Sequence, residues 1–137
     1  MANYKISDIE GIGPAYAEKL QNAGVKSVMA LLKQGCTAPG RRDLAARSDL
    51  KESVILKWVN MADLYRVKGV GSEYAELLEK SGVDTVKELR TRNAENLFAK
   101  MKEVNSGGRK LVRLLPGLGQ VQKWVTEAKS LEPMVTY

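Results

Sequence analysis

The sequence predicts an all-α fold in which one helical unit is used twice. Apolar residues recur at the three- and four-residue spacing of helices, and few windows alternate as strands do. A glycine-hydrophobe-glycine turn also occurs twice in the same frame, 58 residues apart. The first copy reads Ile9-Glu10-Gly11-Ile12-Gly13-Pro14-Ala15-Tyr16-Ala17-Glu18-Lys19-Leu20 and runs on to Ala23-Gly24-Val25. The second reads Val67-Lys68-Gly69-Val70-Gly71-Ser72-Glu73-Tyr74-Ala75-Glu76-Leu77-Leu78 and runs on to Ser81-Gly82-Val83. Eight positions are identical between the two stretches. Two such turns in register, with the same helix behind them, indicate an internal duplication.

The elements follow in order. Pro14 suits the first position of a helix, where a missing N–H removes nothing, and Gly24 stops that helix, predicted over 14–23. Ser27 caps a short helix from Val28 to Lys33 that ends at Gly35. Gly35-Cys36-Thr37-Ala38-Pro39-Gly40 reads as a loop that opens a basic helix, Arg41 to Arg47. Ser48 or Asp49 caps the next helix, whose apolar positions Val54, Ile55, Trp58, Val59 and Ala62 fall at helical spacing.

The second half repeats the order. Gly24-Val25-x-Ser27-Val28-x-x-Leu31 is mirrored by Gly82-Val83-x-Thr85-Val86-x-x-Leu89. Leu44-Ala45-Ala46-Arg47 returns as Leu97-Phe98-Ala99-Lys100, and Lys57-Trp58-Val59 as Lys123-Trp124-Val125. Residues 1–61 therefore make the first unit and 62–137 the second, expected to form one compact body. Each tryptophan anchors the core of its half.

Composition narrows the chemistry. Net charge is +6, with 22 basic and 16 acidic residues. The first unit has nine basic and six acidic residues and the second thirteen and ten, so each is +3 and neither end is a charged tail. A mildly basic surface favours polyanions. There is no histidine and one cysteine, Cys36. This excludes an intrachain disulfide and the usual zinc and iron–sulfur sites, and removes the commonest general base. Nothing activates Cys36, which reads as a bystander thiol. No apolar run suits a signal peptide or a membrane span, so the expectation is a cytoplasmic protein without a membrane partner.

The paired turns resemble the helix-hairpin-helix, a module of the SAM-like all-α class that grips nucleic-acid backbones without reading sequence. The residues support that chemistry. The hydrophobe between the glycines (Ile12, Val70) pins the turn, and the first amides of the following helix point outward at the positive end of its dipole. Contacts of that kind position a protein on DNA but carry no sequence information. Charge separates the copies: Asp8, Glu10 and Glu18 flank the first, with Lys5 and Lys19 its cations. The second has Arg66 and Lys68 before its glycines, against Glu73 and Glu76. The densest basic stretch is Lys100 to Arg113, with Lys102, Arg109 and Lys110, around a turn at Asn105-Ser106-Gly107-Gly108. Arg41-Arg42 is a shorter basic pair.

A third glycine pair, Leu114-Leu115-Pro116-Gly117-Leu118-Gly119, is similar to the hairpin of base-excision glycosylases. The lysine those enzymes need two residues after the second glycine is Val121 here, and no aspartate follows Asp84. A glycosylase is excluded, and the segment reads as a helix-breaking loop.

Over nearly its full length the chain resembles a family of small bacterial proteins, classed as a domain of unknown function, with two helix-hairpin-helix units each. Tyr4-x-Ile6-x-x-Ile9-Glu10-Gly11-Ile12-Gly13-Pro14, Lys68-Gly69-Val70-Gly71-x-x-Tyr74 and the closing Trp124 helix with Val135-Thr136-Tyr137 carry the resemblance. It implies the fold and transfers no activity.

The expected function is non-enzymatic, sequence-independent binding of DNA or other nucleic acid. Gly11, Ile12, Gly13, Gly69, Val70 and Gly71 would supply the hairpins, and Lys19, Arg66, Lys68, Arg109, Lys110 and Arg113 the charge. Four to six neutralised phosphates correspond to a log–log salt slope of about −4 to −5 on duplex DNA. The alternative is a protein–protein or self-assembling module, a homo-oligomer or filament whose acidic first hairpin meets the basic second. No cofactor, metal or small-molecule substrate is expected.

Overall fold

The computed structural model describes residues 5–9, 11–107 and 110–137. Among them are eight α-helices and no strand, and an isolated antiparallel bridge joins Lys5 to Ser27. The protein is all-α. It divides into two compact units, one running to Asp63 and including Met134–Tyr137, the other Leu64–Pro133.

The first unit begins with a 3₁₀ turn (Ile6–Asp8) and continues through α1 (Pro14–Asn22), α2 (Val28–Gly35), α3 (Ala38–Ser48) and α4 (Glu52–Leu64). Pro14 opens α1, and the Ser27 hydroxyl accepts from the Ala30 N–H at 3.1 Å to cap α2. Two boundaries differ from the sequence reading. The expected loop 35–40 shrinks to Cys36 and Thr37, because Thr37 Oγ1 accepts from the Gly40 N–H at 3.2 Å and starts α3 at Ala38. Pro39 then lies in the first turn, where its missing N–H is harmless. Ser48 and Asp49 do not cap α4. The Ser48 hydroxyl donates back to the Leu44 carbonyl at 2.7 Å, and Asp49 ends α3 with φ 58°.

Leu20, Val25, Leu31, Leu32, Leu44, Ile55, Trp58 and Val59 are buried in this unit. Arg41 is buried with them, its guanidinium donating to the carbonyls of Gly35 (2.9 Å) and Thr136 (2.6 Å). It fastens the last residues to the unit, together with the Thr136 N–H bonded to the Cys36 carbonyl at 2.8 Å. Of the Arg41-Arg42 pair, only Arg42 is exposed.

The second unit contains α5 (Ser72–Lys80), α6 (Val86–Leu89), α7 (Ala94–Ser106) and α8 (Leu118–Ser130). α7 packs on α5 and α8, and α6 on α8. Asn105 is not part of a turn: it is buried at the end of α7, where its Oδ1 accepts from the N–H groups of Leu111 (2.8 Å) and Val112 (3.0 Å). Fixing two backbone donors with one side chain orders the approach to α8. The third glycine pair starts a helix instead of breaking one, with Gly117 as the N-cap of α8 and Gly119 in its first turn.

Candidate functional site

The two glycine turns have the same backbone. Gly11 and Gly69 sit at φ +92° and +90°, the left-handed region that favours glycine. The next residue folds inward in both: Ile12 and Val70 are buried, and their N–H groups donate to the carbonyls of Ile9 and Val67, each at 3.1 Å. Neither offers a side chain or an amide to a ligand, which corrects their assignment as contact residues.

The second glycines differ from the first. Gly13 and Gly71 are extended, with φ −81° and −104°, and act as N-caps of α1 and α5 without a side-chain cap. A Cβ added at either would meet no heavy atom within 4 Å. Neither backbone angle nor internal packing requires glycine there. Its bareness leaves the first-turn amides open to approach from outside the chain.

A tryptophan stands behind each turn. Trp58 Nε1 lies 3.8 Å from the Cβ position of Gly11, and Trp124 Nε1 lies 3.4 Å from that of Gly69. Tyr16 meets Trp58 at a ring separation of 5.2 Å, and Tyr74 meets Trp124 at 5.3 Å. Both indoles are buried, yet no described residue accepts from either indole N–H. An arginine holds the far end of each hairpin helix, Arg47 on the Ala23 carbonyl and Arg92 on the Gly82 carbonyl. Each also pairs with an acid one turn earlier, Asp43 at 3.0 Å and Glu88 at 2.9 Å.

The charged residues fall into separate settings. Lys19 is exposed on α1, and Asp8 accepts from the Lys5 N–H at 3.0 Å. Arg66 donates to the Glu132 carbonyl at 2.6 Å, which ties its guanidinium to the chain. Lys68, Lys110 and Arg113 are exposed. The Tyr74 hydroxyl donates to the Leu114 carbonyl at 2.9 Å, so Arg113 lies one residue from a strap fixed to the first turn of α5. Arg109 lies outside the described residues.

Sequence reasoning missed what α8 brings to the second turn. Lys68 and Gly69 line a cleft of about 580 Å³ together with Gln120, Lys123, Trp124 and Glu127. Glu127 Oε2 accepts from the Lys68 N–H at 2.7 Å. The spacing 120, 123, 124, 127 places these residues on one helical face, a signal that was legible without coordinates. Among the described residues, no group of three or more His, Cys, Asp or Glu is placed to hold a metal ion. Nor is any helix among them long and apolar enough to cross a membrane.

Comparison with known proteins adds a family. Residues 10–131 match the family described as "Domain of unknown function (DUF4332)", and the chain belongs to it. No curated protein and no solved structure matches the chain.

Proposed function

We propose that the protein is a non-enzymatic nucleic-acid-binding module of two helix-hairpin-helix units that holds the sugar–phosphate backbone of DNA without reading its sequence. The carrying observation is the pair of bare N-cap glycines, Gly13 and Gly71, open on their outer side where nothing inside the chain demands glycine. The first N–H groups of a helix lack intrahelical partners, and the positive dipole end favours an anion, so a phosphate oxygen fits both needs. α5 offers the fuller set, because Pro14 removes one donor from the first turn of α1. Lys68 supplies charge beside the second turn, with Lys110 and Arg113 exposed on the segment leading to the strap held by Tyr74.

Fluorescence anisotropy of a labelled random-sequence duplex tests this. With about four phosphates neutralised, the salt slope is near −3.6, roughly a 150-fold loss of affinity from about 50 to 200 mM salt. No binding at the lower salt would refute the reading.

One observation favours a second reading, docking of a protein or of another copy. Leu114 is 76 % exposed, with Leu111, Leu115 and Leu118 half-buried around it. A mass that rises with concentration in light scattering, and stops rising in Leu114→Ser, would support this reading over DNA binding.

A further inference from the structure

The cleft beside the second hairpin carries several donors and one acid. Lys68 and Lys123 contribute ammonium groups and Gln120 an amide. The indole N–H of Trp124 faces Gly69 on the wall of the cleft and has no acceptor among the described residues. Trp124 is 2 % exposed, so its ring is held in place by the core. The one carboxylate, Glu127, accepts from the Lys68 amide, and among the described residues neither lysine forms an ion pair with it. A carboxylate oxygen on a backbone N–H, in a cleft shared with these donors, shows that the site accommodates an oxyanion.

We infer that this cleft is a phosphate-binding site and that Glu127 is its built-in competitor. A bound phosphate oxygen would accept from the Trp124 indole and the Gln120 amide while the two lysines neutralise its charge. Glu127 opposes it by repulsion and by holding the Lys68 N–H. The volume lies in the range of clefts that take whole small molecules, roughly 300–1,000 Å³, so there is room for a phosphate carried on a larger ester. The first unit does not repeat this set of side chains. Aligned on Lys57-Trp58-Val59 against Lys123-Trp124-Val125, the positions of Gln120 and Glu127 are taken by Val54 and Met61. The inference rests on the nucleic-acid reading only for the source of the phosphate.

The chain has two tryptophans, so its nitrogen–proton correlation spectrum carries two indole signals, and that of Trp58 is an internal control. The test is titration with inorganic phosphate at constant ionic strength, then with a nucleoside monophosphate, then with a duplex. The expected result is a saturable shift of the Trp124 signal alone, with phosphate binding tightened about threefold or more in Glu127→Gln. Lys123→Ala, at an exposed position, should weaken it. A Trp124 signal that stays still in both wild type and Glu127→Gln, or that moves in parallel with Trp58, would overturn the inference. A shift with the monophosphate but not the duplex would keep the site and remove the polymer as the source. Duplex binding with no phosphate response at Trp124 would sink the cleft and leave the hairpin reading standing.

Discussion

The first and second hairpins share a backbone and differ in what surrounds it. Gly11 and Gly69 adopt φ values two degrees apart, +92° and +90°, over inward-folded Ile12 and Val70. A buried tryptophan lies behind each, with a tyrosine against it. The chemistry diverges one layer out. The first helix opens on Pro14 and the second on Ser72, which keeps its N–H. α8 presents Gln120, Lys123 and Glu127 at the second turn, whereas the corresponding positions of α4 are Val54, Lys57 and Met61. A turn of this kind is therefore set by one left-handed glycine and its inward hydrophobe. What it can hold is set by a helix far away in sequence.

The largest effect tests the shared frame. Trp58→Ala and Trp124→Ala should each destabilise their unit by about 3–5 kcal/mol in urea denaturation, by loss of a buried ring and the cavity left behind. A loss well below that range at one of them would break the equivalence of the two frames. Next come the left-handed glycines. Gly11→Ala and Gly69→Ala should cost about 1–2 kcal/mol each, from the positive φ. The two should cost alike, because the new Cβ meets an indole nitrogen at ordinary contact distance in each, 3.4 Å from Trp124 Nε1 and 3.8 Å from Trp58 Nε1. The smallest effect sharpens the difference in charge. Lys123→Ala should make the salt slope of duplex binding shallower by about 0.9, one phosphate's share, and Lys57→Ala should leave it unchanged.

Much of the fold was legible in sequence, because its signals are local. Ser27, whose hydroxyl caps α2, marks a helix start in the sequence, and the spacing of Ile55, Trp58 and Val59 marks a buried face. The misread places are those where a local signal has two outcomes. Pro39 with Gly40 suggests a loop, but a proline in a first turn is equally compatible with a helix once Thr37 caps it. Asp49 can cap a following helix or end a preceding one in the left-handed region, and it does the second. The site was less legible. Hairpin glycines and nearby cations are visible in the chain, but Arg41 being buried and Arg66 being tied to a carbonyl are tertiary facts. The carboxylate of Glu127 on the Lys68 amide joins residues 59 positions apart, and no local pattern announces such a contact. Arg47 and Arg92 make the same clamp from non-matching sequence positions, so alignment of the halves hides it.

The most direct test of the account is duplex binding by Gly71→Val compared with Gly13→Val, read by anisotropy at low salt. Both sites are extended and open, so helix content should be unchanged and stability should shift by no more than about 1 kcal/mol. If the second hairpin is the phosphate-facing turn, a side chain over its amides lowers affinity about tenfold, equivalent to 1.4 kcal/mol, and the first-hairpin variant loses far less. Equal losses would contradict the asymmetry, and no loss in either would contradict the role of the hairpin amides altogether.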